Sequence, residues 1–214
     1  MSASSADQGA DTVSTGRFER PGVVHRRLFY ALWPDAQQQT ALAHAARKAI
    51  KANGGQAVAV SNLHLTLLFL GAVPEGRMPE LVTIARRVAA AFPMKAVPLQ
   101  FTFDRLEHWK KPQVLCAIPA EADAAASVSA SQAAATLAEA LRFQLVAVGF
   151  TPDLKPFRAH VTLARKVQRP KGELHMDALP WSCSQLALVQ SRTQAGGALY
   201  SVVDSWLLAK WQIV

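Results

Sequence analysis

The sequence predicts an α+β protein made of two related lobes. Two observations carry that expectation. First, the tetrapeptide His64-Leu65-Thr66-Leu67 nearly recurs as His160-Val161-Thr162-Leu163. Each copy lies in an apolar run of strand length, Leu63 to Leu70 and Phe157 to Ala164. Second, the order of elements reads strand, helix, motif strand, helix, then strands, helix, motif strand and further strands. A duplicated α+β unit with approximate two-fold symmetry gives that order, although the halves share little sequence outside the tetrapeptides.

Arg27 to Trp33 reads as a strand, and Pro34 suits the first turn of a helix running to about Ala52. Leu42, Ala45, Ala46, Ala49 and Ile50 fall at helical spacing, and Asn53-Gly54-Gly55 ends the run. Val58 to Val60 and Leu63 to Leu70 follow as strands. Gly71 to Pro79 reads as a loop, and Pro79 to Phe92 as a second helix. Val97 to Arg105 and Gln113 to Pro119 alternate apolar and polar residues, as a hairpin does. Glu121 to Gln132 is rich in Ala and Ser, which suits a flexible insert or helix, and Ala133 to Val148 reads as a third helix. After the second motif strand, Gln168 to Pro180 reads as a loop. Gln185 to Ser191 and Leu199 to Ala209 close the chain as strands.

Composition sets bounds. At 214 residues, half of them hydrophobic, one domain with a sizeable core is expected. The net charge of +8 points to an anionic partner. Cys116 and Cys183 stand far apart without CxxC pairing, which fits buried thiols in a reduced, cytoplasmic setting. The apolar runs are too short to span a membrane. Met1 to Gly16 lacks an apolar core and is no secretory signal. Residues 1–25 are expected to form a disordered leader, and 26–214 one bilobed, monomeric domain.

The tetrapeptides carry the chemistry. In a strand, residues i and i+2 share a face, so each copy offers an imidazole beside a hydroxyl. Two copies brought together supply His64, Thr66, His160 and Thr162. An imidazole titrates near neutral pH, so one ring can take a proton while the other gives one. Hydroxyls can donate to phosphate oxygens as charge develops. The set suits metal-free acid–base chemistry at a phosphate ester. His25, His44, His108 and His175 have no ligand spacing to Cys, Asp or Glu, and no Gly-rich phosphate loop is present. Neither a metal nor a nucleotide cofactor is expected.

With these residues in view, the chain resembles the two-histidine (2H) phosphoesterase superfamily, with its His-x-Thr-x motif. Within it the chain is most similar to the bacterial RNA 2′,3′-cyclic phosphodiesterases, also called 2′-5′ RNA ligases. The matching stretches are 27–34, 62–71 and 157–165, with a weaker match from Leu188 through Tyr200 to Leu208. The resemblance runs from about Arg26 to Trp211. Ala159 departs from it, standing where the family usually has Pro. The resemblance implies antiparallel sheets lining a central cleft with helices packed outside. It implies hydrolysis of RNA 2′,3′-cyclic phosphate ends, tRNA fragments among the candidates, to 2′-phosphomonoesters, with reversible 2′-5′ ligation as the back reaction. His64 is assigned as acid and His160 as base, the opposite assignment remaining open. It also implies that Arg165 contacts the substrate phosphate. Strict alternation would put Arg165 opposite Thr162, so a bulge or strand end must re-aim it.

Other candidates are weaker. Phe29 and Tyr30 could stack on a base, but as strand neighbours at most one faces the cleft. Trp109, beside Lys110 and Lys111, could offer a π-face or cap a hairpin. Ser191 and Arg192 lie near a strand end and could line the cleft. Lys166, Arg169 and Lys171 form a solvated face or track an RNA backbone. Two other readings remain at this stage. One is the same chemistry on a small cyclic nucleotide or ADP-ribose cyclic phosphate; the other is an RNA-binding module with little turnover.

Overall fold

A computed structural model describes residues 23–92, 98–120, 129–153, 155–172, 174–194 and 197–208. The expected leader up to residue 22 and the Ala/Ser-rich 121–128 lie outside the described residues. The strands are β1 (His25–Leu32), β2 (Gln56–Ala57), β3 (Leu65–Pro74), β4 (Leu99–Trp109), β5 (Val114–Pro119), β6 (Val161–Arg165), β7 (His175–Cys183), β8 (Gln185–Gln194) and β9 (Gly197–Leu207). The helices are α1 (Ala36–Asn53), α2 (Met78–Ala91) and α3 (Ala130–Ala147).

The strands join antiparallel in the order β7-β4-β5-β6-β3-β1-β8-β9, with β2 on β6. Two four-stranded halves are thus recognisable, one ending in β6 and the other beginning at β3. The residue pair Leu65–Val161 connects them. The helices cross-brace the halves on one side. α1 packs over β6 and β7, α3 over β3 and β4, and α2 against α3, β8 and β9. One large core lies beneath them, built on Leu32, Leu42, Leu65, Leu81, Leu115, Leu137, Leu141 and Val161, all fully buried. The opposite, concave face carries two small apolar clusters, one per half. The first groups Phe29, Ala31, Ala187 and Val189 with Trp33 and Tyr200. The second groups Val114, Cys116 and Ile118 with Trp109. This is the expected α+β, two-lobed arrangement with helices outside.

Local chemistry explains three of the helix ends. Asp35 caps α1 by accepting from Gln38 N (2.8 Å), so Pro34 precedes the helix rather than opening it. Gly54, at φ 72°, ends it with its N–H on Ile50 O. Ser129 caps α3 in the same way as Asp35 caps α1. No helix among the described residues is long and apolar enough to cross a membrane.

Four expectations need correction. His25 opens β1, and Val24 O accepts from Glu75 N (2.8 Å), so the leader does not reach residue 25. The strand expected at Val58 to Val60 is the short β2, followed by a 3₁₀ turn at Val60–Asn62. The loop expected to extend to Pro180 contains β7. It is an edge strand, where Pro is tolerated, and a register irregularity against β4 breaks the alternation of the buried Met176, Trp181 and Cys183. Finally, β3 runs on through Pro74, beyond the predicted strand end.

Gly55 fixes β2 against the end of β6. It sits at φ +87°, and a Cβ there would lie 2.6 Å from both Arg165 O and Val167 Cγ2. Gly55→Ala is expected to cost about 1–3 kcal/mol through strain and overlap. Urea denaturation measures it, and a loss below ~0.5 kcal/mol, the surface-substitution range, would contradict this packing.

Candidate active site

Each histidine stands one residue before its strand, not inside it. His64 precedes β3, His160 precedes β6, and Leu65 and Val161 are the pair that joins the halves. Continuing that antiparallel register one step each way sets His64 opposite Thr162 and His160 opposite Thr66. Leu65 and Val161 point into the main core, so the four motif side chains share the concave face.

Both motifs then bulge at the same place. Ala31 pairs with Thr66 and Tyr30 with Leu68, leaving Leu67 as the extra residue. Cys116 pairs with Thr162 and Leu115 with Ala164, leaving Leu163 as the extra residue. An extra residue reverses the alternation beyond it. Phe69 and Arg165, each five residues after its histidine, therefore return to the concave face.

The histidines are oriented by one device used twice. His64 Nδ1 donates to Asn62 O (2.7 Å), and His160 Nδ1 donates to Arg158 O (2.7 Å). Donation from Nδ1 leaves Nε2 of each neutral ring as an acceptor facing the cleft. His64 Nε2 accepts from the Thr66 hydroxyl (3.0 Å). The His64 ring is sandwiched by Phe29 and Trp33, with centroids at 4.9 and 5.2 Å, and Tyr200 meets it edge-on at 5.3 Å. His160 packs on Trp109 at 4.4 Å. Glu107 holds that tryptophan by accepting from its Nε1 (3.0 Å). The other Glu107 oxygen accepts from Arg158 (2.6 Å), whose guanidinium lies 5.4 Å from the Trp109 ring.

This burial disfavours charge. Desolvation lowers His64 from the ordinary 6.5 to about 4, with Arg165 and His160 adding repulsion against its bond to Asn62. His160 is lowered as well, first by desolvation and then by Arg158, against its bond to Arg158 O. Both rings are therefore neutral at pH 7 in the free protein. Burial pushes the Cys116 thiol up to about 12, so it stays protonated, 4.0 Å from Thr162 Oγ1. Cys183 is likewise a buried free thiol.

Arg165 reaches across from one half to the other, donating to Tyr200 Oη (3.1 Å). Tyr200 thus links the guanidinium to the His64 ring. Among the described residues, no three of His, Cys, Asp or Glu lie close enough together to hold a metal.

A sequence model of the 2′-5′ RNA ligase superfamily matches residues 33–195. The chain belongs to this superfamily. A member from Thermus thermophilus, an RNA 2′,3′-cyclic phosphodiesterase, is 32% identical over 85% of this chain and 90% of its own length. A protein of the same name from Escherichia coli is 25% identical over 86% of this chain and 98% of its own. Among solved structures, TT0787 of T. thermophilus superposes with a TM-score of 0.66 at 29% identity, over 85% of this chain and 97% of that one. Escherichia coli LigT bound to 3′-AMP shares the fold, with a TM-score of 0.69 at 24% identity over 87% and 99%.

Within this superfamily fold, His64, Thr66, His160, Thr162 and Arg165 gather on one face. Trp109 lies there too, but against His160 and Arg158 and anchored by Glu107. Ser191 takes the cleft face at the outer end of β8, paired with Arg27 and Tyr200. Phe29 and Tyr30 separate as strand neighbours must, yet neither is open to a base. Phe29 is 2% exposed and backs the His64 ring, while Tyr30 is fully buried with its hydroxyl on Leu81 O (2.8 Å). Sequence reasoning passed over Trp33, Glu107, Tyr200 and Phe69. Phe69 is 56% exposed, 5.8 Å from Phe29, and reads as an ordinary strand aromatic until the Leu67 bulge is seen.

The lowered histidines set a pH dependence. The unfolded chain takes up protons below about 6.5 that the folded site refuses until about 4. Stability is therefore full above pH 6.5 and falls as pH drops toward 4. NMR titration of the free protein should show His64 protonating near pH 4 and His160 below 6.5. A His64 midpoint at or above 6.5 would contradict the enclosed site.

Proposed function

We propose that the protein hydrolyses RNA 2′,3′-cyclic phosphate ends to 2′-phosphomonoesters by two-histidine acid–base catalysis. The observation that carries this reading is the matched pair of Nε2 atoms. Each is aimed by an Nδ1 bond to the carbonyl two residues back, and the rings stand on either side of the Leu65–Val161 junction. The relatives named RNA 2′,3′-cyclic phosphodiesterase support the substrate class.

In this reading the cyclic phosphate lies between the rings. His160 is the less enclosed ring, and water reaches it more readily. It takes the proton as a water oxygen attacks phosphorus. The bond from phosphorus to the 3′ oxygen breaks, and His64 Nε2–H gives that oxygen its proton. The product carries a 2′-phosphate and a 3′-hydroxyl. His64 ends neutral and His160 protonated, and exchange with solvent resets the pair. Thr66, Thr162 and Arg165 donate to the non-bridging oxygens. Run in reverse, the pair joins a cyclic end to a 5′-hydroxyl in a 2′-5′ link; in water, hydrolysis dominates.

The low histidine pKa values fit an anionic substrate. A neutral site gains its one proton when the phosphate supplies a compensating charge. The kcat/KM profile, which reports the free enzyme, should be bell-shaped and centred below pH 6.5, with the kcat profile displaced upward. A kcat/KM optimum above 7 would count against the pair as the titrating groups.

The decisive assay uses a short RNA ending in a 2′,3′-cyclic phosphate, with EDTA present. His64→Ala and His160→Ala should each lower kcat by about 10²–10⁴-fold with RNA binding retained. Equal turnover in either variant would overturn the mechanism. Phe69 offers the open aromatic face for the terminal base. Phe69→Ala should raise KM by about tenfold, within the 1–3 kcal/mol that base stacking contributes, and leave kcat nearly unchanged.

A further inference from the structure

We propose that Lys110, Lys111 and Lys166 form a second anion site, for the phosphodiester one nucleotide upstream of the reacting cyclic phosphate. The inference rests on the hydrolase reading above and adds the residues that hold the RNA chain upstream of the reacting end.

The placement follows from register. Trp109 pairs with Val114, and Val114 pairs with Arg165, so these three form one row across β4, β5 and β6. The row borders the cleft, with Trp109 on His160 at one end and Arg165 reaching Tyr200 at the other. Two turns leave it directly. The β4–β5 turn begins with Lys110 and Lys111, and Lys166 follows Arg165 by one Cα step of about 3.8 Å. The turns are tied together: Val167 N donates to Gln113 O (2.9 Å), and Gln113 N to Lys110 O (3.2 Å). His108 Nε2 donates to Val167 O (2.7 Å) on the same segment. Gly55 wedges it from the other side.

The backbone here is unusual in a consistent way. Among the described residues, Gln113 (φ 52°) and Lys166 (φ 57°) are the non-glycine residues at positive φ. Both lie in these linked turns. A side chain disfavours that conformation, and such positions gather where geometry serves a ligand. At Lys166 it turns the chain sharply after Arg165 and places an exposed cation on the cleft rim.

Among the described residues the charge is uncompensated. Lys110, Lys111, Lys166, Arg169 and Lys171 are exposed, and among the described residues none enters a salt bridge. Segments 110–113 and 165–172 contain no Asp or Glu. The nearby acid, Glu107, is taken by Arg158 and Trp109. A mononucleotide cyclic phosphate carries one negative charge, which the histidines, threonines and Arg165 already face. Cations further out gain a partner only when the substrate carries another phosphate. Lysine acts there as a flexible point charge, suited to a backbone whose sequence varies.

The test compares a mononucleotide 2′,3′-cyclic phosphate with a diribonucleotide bearing the same terminal base and cyclic phosphate. Wild type should favour the dinucleotide by about tenfold in kcat/KM, with a steeper fall as salt rises. The variant Lys110→Gln/Lys111→Gln/Lys166→Gln should keep mononucleotide turnover within about twofold and lose both the preference and the extra salt dependence. Unchanged mononucleotide turnover also shows that the variant folds. Turnover of both substrates by wild type without a length preference overturns this inference alone. So does a variant that keeps the preference, or one that loses mononucleotide turnover while remaining folded by circular dichroism. Failure of wild type to turn over either substrate overturns the hydrolase reading and this inference with it.

Discussion

One backbone pairing, Leu65 with Val161, governs the geometry of this molecule. It joins two four-stranded halves, and it does so one residue after each histidine. A one-residue slip in this pairing would turn one half's histidine away from the face that carries the other. Each half buries its own strand residues in the common core, so the junction is fixed by packing on both sides. The helices strengthen it: α3 lies over β3 and α1 over β6, each reaching the half on the far side of the junction from its own preceding strand. A cleft between freely moving lobes would set the two Nε2 atoms at a variable distance. Here that distance is determined by a sheet.

The same packing decides the protonation of the site. Phe29 and Trp33 enclose one ring, and Trp109 backs the other. Apolar contact and nearby arginines both oppose a positive imidazole, and the single carbonyl bond at each Nδ1 does not outweigh them. A site of this kind rests neutral and waits for an anion. In the proposed reaction Arg165 has two effects: it raises the cost of protonating His64, and it supplies a positive group for the bound phosphate. Binding and activation thereby become linked, because the proton the chemistry needs is stabilised only once the phosphate is present.

How much of this could be read from the chain depends on the kind of signal. The paired tetrapeptides name the four central side chains, since residue type and strand period suffice to put His and Thr together. The pairing of the halves requires long-range register, which no local pattern encodes. The bulges at Leu67 and Leu163 are also silent, because an apolar residue looks the same whether it continues a ladder or interrupts it. Arg165 was recoverable because resemblance demanded it and alternation forbade it, and that conflict itself implied a bulge. Phe69 presented no conflict and went unseen. Trp33, Glu107 and Tyr200 act through contacts with residues distant in sequence. β7 was missed because its buried Met176, Trp181 and Cys183 keep no single alternation and Pro180 interrupts the run.

The two halves share a device but not a purpose. Both motifs run His, apolar, Thr, bulge, and both bring the residue five places on back to the concave face. At that position one half has Phe69 and the other Arg165. Beneath Thr66 the neighbouring strands contribute Ala31 and Ala187; beneath Thr162 they contribute Cys116 and Glu107. Both walls carry an apolar cluster, but one adds the exposed Phe69 and the other adds Glu107, Arg158 and Arg165, with two lysine-bearing turns at its rim. A substrate with approximate two-fold symmetry would be served by identical walls. These walls instead match a molecule with a flat base on one side of a phosphate and further anionic backbone on the other. In the proposed reaction the two matched motifs supply the acid–base pair, and the differences at matched positions set the direction of the RNA end.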